Sequence, residues 1–323
     1  MWGAEIYQDM HDLKEKLGKK GKLPEYCGMV EVAMSHIRGA QHFFCGEKVD
    51  LEAPFKGFTG KRIFMGEMAE GVRLPFKRCL FMYSFSDDQE DPKTAVPKRA
   101  LIVIDLPSDL LFVQIFDYSR LLKKWVFGGN QYLISVGSPI GENPLGKQAL
   151  AWGAQGQING DPERFIELQN RLKSFIKSGQ NIYPIPSGLT LKINKIEDCF
   201  KEDEKDLAVL NLTLLLLNCK NIVTEDNPPP PALNKKRRKA GKQELFTYKT
   251  LKLVLPSKAR NGSEDQSPSG DRVRIHLCRG HFKHFTKDAP LFGRHTGLYW
   301  WQPQLRGDKT KGMVAKDYEV TAR

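Results

Sequence analysis

Apolar side chains recur every three or four residues at the start of the chain, at Ile6, Met10, Leu13 and Leu17, and Met29, Val32, Ala33 and His36 repeat the spacing. That period predicts two helices, over 5–17 and 25–45, separated by GKKGKLP. From about residue 61 the pattern becomes that of strands: RCLFMYSF (78–85), RALIVID (99–105), LLFVQIFD (110–117) and NQYLISVG (130–137). The LPSD link between the second and third runs is short and contains Pro107, which suits a tight turn between antiparallel neighbours. Asp161, Pro162 and Glu163 then open a stretch with Phe165, Leu168, Leu172, Phe175 and Ile176 at helical spacing, closed by Gly179. An acidic patch from Glu197 to Asp206 leads into the run Leu207 to Leu217, whose length and leucine content favour a buried helix over a strand.

Beyond that run the punctuation is strong. Four prolines (Pro228 to Pro231) precede the basic cluster NKKRRKAGK at 234–242, a combination that marks a boundary or an exposed arm. LFTYKTLKLVL (245–255) reads as a strand, 257–270 as a polar loop, and 272–279, 297–302 and 313–320 as further strands. The fold class expected is α+β: a helical N-terminus, a mostly antiparallel sheet with packed helices, and a basic β-rich C-terminal unit. The expected division is a body over 1–226, a Pro-rich and basic linker or arm over 227–244, and the C-terminal unit over 245–323.

With 323 residues, 40% hydrophobic and 10% aromatic, the chain has ample material for a core and is unlike an unfolded one. The longest apolar run, Leu207 to Leu217, is too short for a membrane span and contains Asn211 and Thr213; the N-terminus lacks a secretory h-region. Cysteines at 27, 45, 79, 199, 219 and 278 form no CxxC pair, which suits free thiols in a reducing compartment. The expectation is a soluble cytoplasmic protein with no membrane partner.

The net charge of +12 is unevenly distributed. From Asn234 onward there are 21 Lys plus Arg against 8 Asp plus Glu, or +13, whereas the preceding residues have 29 against 30, or −1. A field of one sign confined to one part of a molecule implies a polyanionic partner for that part, most simply nucleic acid, with acidic protein or a membrane surface as alternatives.

Within this basic region, residues 272–301 concentrate four of the seven histidines and two adjacent tryptophans. Arg272, Arg274, His276, Cys278 and Arg279 alternate with apolar residues up to Gly280; His281, Lys283 and His284 then interleave with Phe282 and Phe285. Cationic donors and flat rings are the ingredients of a surface that grips phosphates and stacks bases. The same pattern also suits a half-buried strand whose basic face is solvated above an aromatic core. Candidate nucleic-acid contacts are Lys235, Lys236, Arg237, Arg238, Lys239, Lys242, Arg272, Arg274, Arg279, Lys283 and Arg294, with Phe282, Phe285, Trp300 and Trp301 as candidate stacking platforms.

Several catalytic motifs fail on inspection. Gly141, Gly146 and Lys147 match most of a P-loop, but Gln148 stands where a magnesium-binding hydroxyl belongs. His276, Cys278, His281 and His284 carry zinc-ligating atoms, yet they crowd into nine residues instead of two separated pairs, so no metal or cofactor is expected. Metal-independent RNA cleavage is the enzymatic alternative, with His276, His281 or His284 moving protons while arginine stabilises phosphorane charge.

Three segments together carry a resemblance: LNLTLLLLNCKNI (210–222), LNKKRRKAGK (233–242), and RVRIHLCRGHFKHF with the downstream YWWQP (299–303). They resemble a family of phage, prophage and plasmid proteins that includes a type V-A anti-CRISPR protein and shows a C-terminal H-x-R-R-G-H-aromatic pattern followed by W-x-P. His276, Arg279, Gly280, His281, Phe282, Trp301 and Pro303 match it, while Cys278 stands where the family has the first arginine. Arginine at that place in the family also argues against a zinc ligand there. Looser similarity extends to RALIVIDLPSDLLFVQIFD (99–117). The resemblance implies counter-defence by a mobile element: lowered production of a CRISPR effector nuclease, through recognition of the N-terminal segment of its nascent chain and loss of the message. The partners expected are therefore RNA or a ribosome-associated message, and that nascent segment. A ribonuclease and a DNA-binding regulatory or packaging-associated phage protein are the rival expectations.

Overall fold

The computed structural model describes residues 2–19, 24–49, 73–85, 98–107, 109–136, 182–186, 196–254, 274–278, 280–301, 304–306 and 308–313. Helices α1 (Trp2–Lys19) and α2 (Pro24–Gly39) lead into β1 (Gln41–Val49), followed by β2 (Arg78–Phe85), β3 (Lys98–Leu106), β4 (Leu110–Ser119), β5 (Lys124–Ser135) and β6 (Ile182–Pro186). Helix α3 (Ile196–Leu217), β7 (Ile222–Asn227), helix α4 (Pro231–Lys239) and β8 (Tyr248–Leu253) come next. Strands β9 (Arg274–Cys278), β10 (His281–Phe285), β11 (Gly297–Trp301), β12 (Gln304–Arg306) and β13 (Asp308–Met313) complete the described elements.

Eight strands form one sheet in the order β6-β5-β4-β3-β2-β1-β8-β7. β1 runs parallel to both β2 and β8, and the remaining neighbours are antiparallel. The class is α+β, as expected. Burial on both faces explains why the central strands read as nearly continuous apolar runs. Along β2, Cys79, Phe81 and Tyr83 point into the core shared with Leu207, Leu210 and Leu214 of α3. Leu80 and Met82, on the other face, pack with Trp2, Ile6 and Met10 of α1 and with Val30 and Ile37 of α2. The molecule is thus layered as α1/α2, sheet, α3.

Three sequence expectations shift. The helix expected over 25–45 stops at Gly39, and 41–49 forms strand β1 instead. The aromatic pair Phe43–Phe44 suits a pleated surface, and Phe43 is fully buried beside Phe81, with ring centroids 5.3 Å apart. The segment read as a linker or arm contains α4, with Pro231 in the first helical turn, where a missing N–H costs nothing. The strand expected over 313–320 lies, apart from Met313, outside the described residues, and β13 runs over Asp308–Met313. The eight-stranded sheet draws on both sides of the expected division, because β8 lies between β1 and β7. The helix read over 161–179, the P-loop-like segment at 141–148 and the loop at 257–270 lie outside the described residues.

Candidate nucleic-acid interface

Helix α4 has no buried residue. Its sequence, PALNKKRRK, offers no apolar stripe with which to dock, so side-chain hydrogen bonds at its flank hold it in place. Asn234 Nδ2 donates to the Leu245 carbonyl (3.1 Å), and Asn234 Oδ1 accepts from the Leu245 N–H (2.8 Å). Arg237 Nε donates to the Gln243 carbonyl (2.6 Å), and the Gln243 N–H donates to Gln8 Oε1 of α1 (3.2 Å). Arg238 grips Glu244 with Nε and Nη2, at 2.7 and 3.0 Å; their mutual bond raises the arginine's pKa and lowers the carboxyl's. Gly241, at φ +65°, turns the chain out of the helix.

Arg237 and Arg238 are therefore partly committed to shaping the turn. Lys235, Lys236, Lys239 and Lys242 make no ion pair among the described residues and project into solvent. The cationic last turn also sits at the helix end favoured by its dipole.

The second group of candidate residues lies on the β10–β11 hairpin. It pairs His281 with Trp301, Phe282 with Trp300, Lys283 with Tyr299 and His284 with Leu298. Alternation sends Phe282 and Leu298 toward the core beneath α3, with Phe282 4.7 Å from the Trp300 ring. On the opposite face Phe285, Tyr299 and Trp301 form a ring cluster closed by Leu291, with Lys283 Nζ 4.8 Å from the Phe285 centroid. Asn221 pins the hairpin to the turn after α3: its Nδ2 donates to the Trp300 carbonyl (2.8 Å), and its Oδ1 accepts from the Trp300 N–H (2.9 Å). Lys220 N–H adds a bond to the Leu298 carbonyl (2.8 Å).

Of the candidate stacking rings, Phe285 is buried, and Phe282, Trp300 and Trp301 are half-buried. His281, Lys283, His284 and Arg294 are exposed, and Arg294 Nε lies 3.0 Å from His295 Nε2. His281 and His284 lie on opposite faces of β10, and His276 belongs to β9 in the separate sheet β12-β9-β13. Arg274 pairs through its backbone with Asp308 of β13, and His276 with Arg306 of β12. Arg272 and Arg279 lie outside the described residues. Among the described residues no group of three or more His, Cys, Asp or Glu is placed to hold a metal ion, and no helix is long and apolar enough to cross a membrane.

One cluster was missed by the sequence reading. Tyr83, Arg99 and Asp117 are register neighbours on β2, β3 and β4, and α3 lowers Asp203 and Asp206 toward them. Tyr83 Oη donates to Asp206 Oδ1 and Tyr132 Oη to Asp203 Oδ2, each at 2.5 Å, while Arg99 pairs with Asp117 and Asp206. Burial pushes Asp206 up to about 7, against the opposing pull of Arg99 and the Tyr83 hydroxyl. With Asp203 and Asp206 shut away from solvent, this cluster braces the helix on the sheet. The Asp203–Asp206 spacing, one helical turn before the leucine run, was the available signal.

Comparison of the chain with protein-family models, curated proteins and solved structures gave no match.

Proposed function

We propose that this chain is a counter-defence protein of a mobile genetic element that suppresses production of a type V-A CRISPR effector nuclease by engaging the effector's message as it is translated. The observation that carries the reading is α4: a nine-residue helix with no buried residue, whose lysines are exposed, make no ion pair among the described residues and lie within the +13 segment of the chain. A helix of this composition contributes nothing to a core, and a polyanion is the partner its charge fits. The choice of message and effector as the target comes from the resemblance at 210–222, 233–242 and 272–303. Binding is favoured over cleavage because His281 and His284 lie on opposite faces of one strand, an arrangement that does not converge on a single phosphate.

The test is co-expression with the effector in a bacterial cell, following effector mRNA and effector protein separately. Both should fall, and Lys235→Glu, Lys236→Glu and Lys239→Glu together should restore them. Unchanged message and protein would overturn the reading.

A further inference from the structure

A groove of about 510 Å³ runs between α1, the β4–β5 hairpin and the end of α4. The basic Lys98, Lys123, Arg237 and Lys242 line it together with the acidic Glu5, Asp9 and Asp12. Two of those carboxylates are already engaged. Lys124 Nζ lies 3.7 Å from Asp9 and 3.2 Å from Asp12, and Asp9 also accepts the Trp125 backbone N–H at 2.9 Å. With Lys124 included, five cations face three carboxylates, a net of +2.

One of the cations is held in place. Lys98 Nζ sits 5.1 Å from the Trp2 ring centroid and 5.0 Å from that of Tyr118, so two aromatic faces hold its ammonium at the groove wall. Lys123 ends the hairpin tip, and Lys242 follows α4; both are exposed and make no ion pair among the described residues. Just before Lys123, Leu121 and Leu122 stand 92% and 60% exposed. Apolar side chains beside a cation match the chemistry of a base beside its phosphate.

We propose that this groove is a binding segment for single-stranded RNA, in which Lys98, Lys123 and Lys242 take backbone phosphate and the Leu121–Leu122 tip meets an unstacked base. The inference rests on the reading of α4 as an RNA-binding element and extends it, because α4 supplies Arg237 and leads into Lys242. The strand leaves the lysine face of α4, enters the groove at Lys242 and passes the hairpin tip. The residues before Asn234, at a net −1, thus contribute to the RNA track through two lysines that lie far from the basic segment in sequence.

The experiment uses the full chain with 4-thiouridine-substituted single-stranded RNA, irradiated and mapped by mass spectrometry, alongside the affinity of the Lys123→Glu, Lys242→Glu double variant. Crosslinked peptides should cover residues 118–124 as well as 231–242, and the double variant should bind on the order of tenfold more weakly at low salt. Both side chains are exposed, so the fold is retained, which circular dichroism checks. Adducts confined to 231–242 or to the C-terminal hairpin, with unchanged affinity in the double variant, would overturn the groove while leaving α4 as an RNA contact. Failure of the unmodified protein to bind RNA would overturn both.

Discussion

Arg99 of β3 reaches Asp206 of α3, with Nη1 3.5 Å from Oδ2, and the same nitrogen pairs with Asp117 on the neighbouring strand. One guanidinium therefore ties the helix to two strands of the sheet. Removing Asp206 takes the acceptor from the buried Tyr83 hydroxyl and leaves Arg99 with Asp117 alone, so Asp206→Ala should cost about 2 kcal/mol of stability, read as a fall in the urea midpoint. A loss below about 1 kcal/mol would mean that the leucines of α3 hold the helix without it.

The same carboxyl makes stability depend on pH in a definite direction. Asp206 is raised from its ordinary 3.8 to about 7, mainly by burial, so the folded state holds its proton more tightly than the unfolded chain. Its favourable contribution is complete below about pH 4 and is lost as the pH rises through about 7. Asp206→Asn, which cannot ionise, should therefore gain stability relative to the unaltered protein between pH 4 and pH 7.5. Paired denaturation curves across that range check it; a constant difference would show that Asp206 stays ionised throughout.

Asn221 uses both ends of its amide on the Trp300 backbone. Asn221→Ala leaves a carbonyl and an N–H without that partner at a half-buried strand, and about 2 kcal/mol should be lost. The loss should be local: amide exchange at 297–301 should accelerate more than in β2 or β3. Uniform acceleration across the sheet would show that the hairpin is not held separately.

At the opposite layer, Gly3 lies against His42. A β-carbon on Gly3 would stand 2.4 Å from the His42 ring, which is itself fixed by a 2.8 Å bond from Nε2 to the Ile37 carbonyl oxygen. Gly3→Ala should thus destabilise by about 1–3 kcal/mol despite the usual helical preference for alanine. Thermal unfolding measures it, and a stabilised variant would mean that α1 can lift away from β1 at little cost.

The parts of the fold legible in sequence were those where burial and local pattern agree. β2, β3 and β4 announce themselves because both faces are covered, and α3 because its leucine run is too long for a typical strand. β1 was hidden by adjacency: only Ala40 separates it from α2, and its aromatic residues continue the helical spacing. α4 was hidden by its prolines, which read as a break although Pro231 starts a helix well.

Of the candidate interface, the lysines of α4 are visible as composition. The groove is not, because Lys98 and Lys123 come from separate strand ends and meet Lys242 only through the packing of α1 against the sheet. The Tyr83–Asp206 bond joins residues 123 apart, a distance over which no sequence period carries information. Likewise, His281 and His284 are close in sequence, but strand alternation sends them to opposite faces.

The central claim is that the α4 lysines make direct phosphate contacts, and the most direct measurement is RNA affinity as a function of salt. Each phosphate contact on a single strand contributes about 0.7 to the slope of log affinity against log salt. Replacing Lys235, Lys236 and Lys239 together by glutamine should weaken binding at low salt and make that slope shallower by about 2. An unchanged slope, with affinity equal to that of the unaltered protein, would contradict the account by showing that the exposed basic helix is not where RNA binds.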